Sequence, residues 1–271
     1  MALDYRALLS DLRFESAQLM SVLETLTERQ WDLATPASGW AVRDQVSHLA
    51  YFDDSTCMAV TDPERFRIDS AALIAGGMDF PDRIAVLLHS LNSVELQAWF
   101  VHARTQLLTV LADGKPKDRL PWFGPDMSLA SCATARLMET WAHGQDIYDA
   151  LGLTYRKSPG LRSIAHLGVS TFAFVHRLND LPVPEAPVRV ELTAPDSSAI
   201  WSWGPEDALN RVVGPAEDFV LAVTQRRHLT DTTLEVNGDV AQTWMSIAQA
   251  YAGASGTGRA PLTHSTAKVT T

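Results

Sequence analysis

A chain of 271 residues is too long for one small hydrophobic core and suits two domains of ordinary size. Its 46% hydrophobic and 20% charged residues match a water-soluble globular protein. The net charge of −10 argues against nucleic acid or an anionic membrane surface as the main partner, because phosphate binding needs clustered Lys and Arg.

Residues 5–29 repeat apolar side chains at helical spacing, from Leu8, Leu9 and Leu12 to Leu23 and Leu26, with Asp4 as the cap. The segment "TPASGW" ends that helix, and a second covers about 41–61. "TDPERF" and "GGMDFP" bracket a stretch without a clear pattern. A third helix spans roughly 92–112 and stops at "DGKPKD". After the Pro- and Gly-rich loop "RLPWFGPDMS", a fourth runs from about Leu129 to Leu151 and ends at Gly152. Four long amphipathic helices with irregular links predict a helix bundle over 1–155. A fifth helix and linker fill 156–184. The texture then changes: "VRVELTA", "AIWSW", "EDALNRVVG" and "TTLEVNG" read as strands, while "PAEDFVLAVTQRRH" and "VAQTWMSIAQAYAG" read as helices. An α+β domain is expected over 185–261, followed by a polar, disordered tail at 262–271.

Only two cysteines occur, Cys57 and Cys132, so no disulfide framework is implied and a reducing cytoplasm is the expected home. The first residues carry charges throughout, unlike a signal peptide, and no run of about 18 apolar residues appears.

Glu139 and His143 stand four apart in the fourth helix and so share a face. A bare E-x-x-x-H is a weak motif, and alone it reads as a solvated or hydrogen-bonded pair. Leu137, Met138, Trp141 and Ile147 around it turn the stripe inward, where Glu and His need partners and a cation serves well. His48, among Val46, Leu49 and Ala50 on the second helix, completes a set of three. Three protein ligands leave one tetrahedral position open, as in catalytic rather than structural zinc. Cys57 points away from His48 and reads as a core thiol. Cys132 reads as core or pocket lining.

At these residues the chain becomes familiar. "SGWAVRDQVSHLAYFDD" and "RLMETWAHGQDIYDALG" resemble the two metal-binding signatures of the DinB-like superfamily, in the branch typified by mycothiol-dependent maleylpyruvate isomerase. The stretch from "GPAEDF" to "GTGRAP" resembles the C-terminal part of an actinobacterial subfamily whose members are called metal-binding proteins or labelled with wyosine base formation. The resemblance covers nearly the whole chain up to Pro261. It implies a DinB-like four-helix bundle followed by a smaller, sterol-carrier-like α+β domain that can close over the metal. It also implies His48, Glu139 and His143 as metal ligands. The implied activity uses a low-molecular-weight thiol such as mycothiol, for transfer to a small electrophilic metabolite or its isomerisation.

Zinc suits the His₂Glu donor set best, with nickel, iron, cobalt and manganese as alternatives. Arg226 and Arg227, in "TQRRH", are candidates for holding an acidic group of substrate or thiol through paired hydrogen bonds, or else solvated surface residues. Asp146 is either a partner that orients His143 or one end of a helix salt bridge. Trp122 and Phe123 either line the pocket mouth or pack on the core. The expected partners are a small-molecule substrate and a thiol, with no nucleic acid and no membrane, on a chain more suited to a monomer than a dimer. Two other readings stay open. One is a thiol-independent hydrolase, lyase or cyclising enzyme; the other is a non-catalytic metal-binding protein whose fourth position a residue such as Cys132 would close.

Overall fold

In the computed structural model, residues 4–155 and 158–262 are described. The chain falls into two compact units that divide between Ile164 and Ala165. The expected disordered tail lies, apart from Leu262, outside the described residues.

The first unit is helical. Helix α1 (Tyr5–Leu23) starts where the Asp4 carboxylate accepts the backbone N–H groups of Arg6 and Ala7 at 3.0 and 3.1 Å. It stops short of the expected residue 29. The Thr25 hydroxyl bonds back to the Val22 carbonyl, and Gln30 accepts from both the N–H and the hydroxyl of Thr27, opening a separate turn, α2 (Glu28–Trp31). Helix α3 (Val42–Thr61) begins where Asp44 accepts the Ala41 N–H at 2.8 Å. The stretch without a clear pattern forms α4 (Pro63–Ala75), with Asp62 as cap and Pro63 in the first turn, and α5 (Phe80–Leu87). Helix α6 (Ser93–Asp113) follows an Asn92–Glu95 capping box. The Pro- and Gly-rich loop holds a short antiparallel pair, β1 (Arg119–Leu120) with β2 (Met127–Ser128). Helix α7 (Leu129–Leu151) closes on Gly152, whose φ of 67° is the left-handed conformation that favours glycine.

The long helices α1, α3, α6 and α7 form the bundle, with α3 packed on α6 and α7, and α1 on α7 and α6. Their apolar stripes meet in a core that includes Leu19, Val46, Leu49, Phe100 and Ile147, none more than 1% exposed. Each fully buried Leu or Phe contributes about 1.5–3 kcal/mol relative to exposure.

The division between units falls inside α8 (Leu161–Ser170), which is followed by α9 (Phe172–Leu178), so the single crossover helix expected here is broken. The second unit carries a four-stranded sheet in the order β4-β3-β5-β6, with β3 Val188–Thr193, β4 Ile200–Trp203, β5 Asn210–Pro215 and β6 Glu235–Asn237. Strands β3 and β5 run parallel, with Val190 opposite Val212, and the outer pairs are antiparallel. Helices α10 (Ala216–Val223) and α11 (Asp239–Ile247) lie against the sheet, and Phe219 meets Trp244 at 5.9 Å between ring centroids. Both helices are shorter than the apolar pattern predicts. Thr224 bonds back to the Val220 carbonyl and Gln225 takes a positive φ of 58°, which ends α10 before "RRH". Helix and sheet are thus mixed, with a helical N-terminal part and a small sheet-containing C-terminal part, the fold class read from the sequence. Among the described residues, no helix is long and apolar enough to cross a membrane.

Candidate metal centre

His48 stands in the second turn of α3, and Glu139 and His143 stand one turn apart in the middle of α7, the helix packed against it. One ligand atom from each of the three lies within 4.8 Å of the others. Glu139 Oε2 is 2.9 Å from His143 Nε2 and 3.5 Å from His48 Nε2, and the two imidazole centroids are 4.4 Å apart. The side chains keep 10–19% exposure, so the cluster is largely sheltered yet reachable. The i, i+4 spacing and the inward face of α7 bring the pair together; only packing brings His48.

The tautomer of His143 follows from a chain of hydrogen bonds that starts two elements away. The Thr35 hydroxyl has one proton and gives it to the Trp40 carbonyl at 2.8 Å. It therefore accepts from the Gln45 side-chain amide, Nε2 to Oγ1 at 2.8 Å. That turns the Gln45 oxygen towards His143 Nδ1, which must donate the proton of their hydrogen bond. The second nitrogen, Nε2, then presents a lone pair to the Glu139 carboxylate. Two acceptors at 2.9 Å repel, so a proton or a cation has to stand between them. His48 Nδ1, buried without a hydrogen-bond partner, leaves that ring equally dependent on what Nε2 meets. Two imidazole nitrogens and a carboxylate oxygen, converging with one ring already fixed from behind, fit a divalent cation of the zinc type.

Charge at the cluster points the same way. Burial pushes the Glu139 carboxyl upward, but hydrogen bonds from His143 and His48 and the charges of His143 and Arg136 outweigh it and hold the group well below the usual carboxylate range. What keeps the acid ionised is positive charge on the imidazole side, a proton in the empty cluster or a cation in its place. The Trp40 ring stacks on His143 at 5.8 Å and leans on His48 at 5.3 Å, while Phe52 sits 4.6 Å from His48. Phe52 continues into an aromatic group with Phe66, Phe80, Trp122 and Phe123. Trp122 and Phe123 thus pack into a satellite core that reaches the cluster through Phe52. Behind α7, Arg104 and Asp53 form an ion pair at 2.6 Å with neither exposed, and Arg104 also donates to Ser16 and Thr140, next to Glu139.

The other sequence candidates fall elsewhere. Asp146 is fully buried one turn beyond His143. Cys132 is buried with its Sγ 3.8 Å from the Thr56 hydroxyl, and it is not one of the three converging groups. Burial, with Asp53 and Asp54 nearby, pushes the Cys57 thiol up to about 12. Arg226 and Arg227 belong to the second unit, on the turn after α10. Arg226 donates to the Thr224 carbonyl and Arg227 to the Arg226 carbonyl, both at 2.7 Å. Gln45, Thr35 and Trp40 were not anticipated. Their only sequence signal is nearness to His48, since the partners they serve lie up to 98 positions away.

Comparison with known proteins agrees with this architecture. The family model of the mycothiol maleylpyruvate isomerase N-terminal domain matches residues 12–148, and that of the MDMPI C-terminal domain matches residues 173–243. Two uncharacterized proteins from strains of Mycobacterium tuberculosis are 46% identical over 255 residues, covering 92% of this chain and 97% of theirs. Crystal structures of the mycothiol-dependent maleylpyruvate isomerase and of a histidine-to-alanine mutant of it superpose with a TM-score of 0.60 at 15% and 16% identity. They cover 86% of this chain and 93% of theirs. At that identity the likeness is one of fold.

Proposed function

The chain belongs to the mycothiol maleylpyruvate isomerase family, and from that premise we propose a metal-dependent enzyme that activates a low-molecular-weight thiol of the mycothiol kind. The thiol is used for isomerisation of, or transfer to, a small electrophilic metabolite. The observation that carries the reading is the convergence of His48, Glu139 and His143, with Gln45 turning the lone pair of His143 into the cluster.

In this reading His48 and His143 would supply neutral nitrogens and Glu139 one negative oxygen to a divalent ion, three protein donors that leave it open to a small molecule. A divalent ion held by these residues, zinc by donor preference, lowers the pKa of a thiol so that its nucleophilic form exists at neutral pH. Gln45 keeps the His143 proton on Nδ1, away from the cluster. Trp40 and Phe52 wall off both imidazoles and limit water. The chain's own thiols do not compete: burial raises both Cys57 and Cys132. Adding the external thiol across an activated cis double bond leaves a single bond free to rotate. Eliminating the thiol again gives the trans product and returns the thiol unchanged. Arg226 and Arg227 stay candidates for an acidic group of either reactant, and Asp146 for orienting His143.

Elemental analysis of the purified protein tests the site, with about one zinc or similar ion per chain expected. His48→Ala and His143→Ala should each lose the ion while keeping their helical circular dichroism. Turnover of maleylpyruvate by the loaded protein should require mycothiol. Turnover without any thiol would replace this reading with metal-dependent hydrolase, lyase or cyclase chemistry. A folded wild type that takes up no zinc, nickel or iron would remove the metal altogether.

A further inference from the structure

Beside the three candidate ligands sits an arginine with two buried donors that meet no hydrogen-bond acceptor. Arg136 lies on α7 one turn before Glu139 and is 3% exposed. Its Nε and Nη1 are shut off from solvent and have no hydrogen-bond partner. Its ion-pair contact, Nη1 to Asp53 Oδ1, is 3.7 Å, beyond hydrogen-bond reach. Asp53 is in any case committed to Arg104, which reaches it through Nε at 2.6 Å and Nη2 at 3.3 Å. The contrast is direct. Arg104, equally buried, has a carboxylate and two hydroxyls within hydrogen-bond reach of its guanidinium, whereas Arg136 has the face of Phe52 at 5.6 Å and only the longer contact to Asp53.

A buried guanidinium with idle donors is costly and rarely kept for packing alone. Two of its donors are idle with or without a metal; that a reactant comes to the cluster rests on the function proposed above.

We propose that Arg136 is an anchor for a carboxylate of the small molecule that reaches the His48–Glu139–His143 cluster. The planar fork of Arg136 suits the two oxygens of a carboxylate. Phe52 is their common neighbour, 4.6 Å from the His48 ring and 5.6 Å from the Arg136 guanidinium. Arg136 and Glu139 are three residues apart, a rise of about 5 Å along the helix. The substrate class is therefore a small carboxylic acid. The anchor sits on a rigid bundle helix and is distinct from Arg226 and Arg227.

The test is binding of maleate, with neutral maleamide as control, to the full chain in zinc-loaded and metal-free forms, followed by calorimetry. Wild type should bind maleate saturably and bind maleamide at least tenfold more weakly. Arg136→Met should lower maleate affinity roughly ten- to a hundredfold while zinc content and circular dichroism stay at wild-type values. Arg136→Lys should fall in between, because it keeps the charge and loses the fork; it also serves if the Met variant fails to fold. Maleate binding that is absent in wild type, or unchanged in both variants, overturns the anchor. Failure of the metal reading shows separately, as a wild type without zinc, and leaves the Arg136 dependence of maleate binding to be read in the metal-free form.

Discussion

Replacing Gln45 with leucine is the sharpest probe of how the centre is held. Gln45 is fully buried, and its oxygen is the acceptor for His143 Nδ1. Leucine fills similar space and accepts nothing. In the metal-free protein the ring can escape by carrying its proton on Nε2, where Glu139 accepts at 2.9 Å. With a cation bound, Nε2 is occupied, and the Nδ1 proton is left buried without an acceptor. An unsatisfied buried donor costs about 1–3 kcal/mol. Since only the loaded state bears it, the cost appears in affinity as a loss of roughly five- to a hundredfold, the range expected for a partner behind a metal ligand. Competition with a chromophoric chelator at neutral pH measures the zinc Kd. Gln45→Glu keeps an acceptor and should recover most of the loss. Thr35→Val, which frees the Gln45 amide to turn over, should give an intermediate value. A folded Gln45→Leu that binds zinc within twofold of wild type would refute the hydrogen-bond chain as the device that fixes His143.

Three further outcomes follow from the same bundle. Asp53→Ala leaves Arg104 buried without its counter-ion and should cost about 3–5 kcal/mol in urea unfolding, whereas Arg104→Met with Asp53→Leu should recover much of it; equal instability of both would contradict that account. Both thiols should resist a chromogenic disulfide at pH ~8 in the folded protein and react on unfolding, because burial holds Cys57 and Cys132 protonated. Rapid labelling of the native chain would count against it. Glu15 is pushed upward by burial, partly offset by hydrogen bonds from Ser158, Tyr155 and Gln18. A carboxyl raised in the folded state favours folding while protonated and disfavours it once pH passes its folded value. Glu15→Gln should therefore raise Tm near neutral pH and leave it little changed at pH ~4, and a drop at neutral pH would reverse the assigned sign.

The candidate ligand pair on α7 was legible in the sequence because a helix has a fixed period: once Leu137, Trp141 and Ile147 face the core, Glu139 and His143 share the neighbouring stripe. The long bundle helices and the switch to strands after residue 184 were legible for the same reason, since periodicity is local. Helix ends were less so. Thr25, Thr27 and Gln30 stop α1 early through side-chain bonds that an apolar count does not see, and Thr224 and Gln225 end α10 before Arg226 in the same way.

Local period, spacing and signature were thus enough for the fold class, the long bundle helices and the three residues that converge as candidate ligands. Tertiary structure decided which side chains stand behind and beside those ligands. The sequence places Gln45 three residues from His48, but the proton it fixes belongs to His143, and the direction of that bond comes from Thr35 and the Trp40 carbonyl. Arg104 and Arg136 read alike as charged residues in amphipathic helices. Only the packing of α1, α3, α6 and α7 gives Asp53, Ser16 and Thr140 to the first and leaves two buried donors of the second idle beside Phe52. Hydrogen bonds across helices depend on ångström distances between residues far apart in the chain, and no one-dimensional pattern carries them.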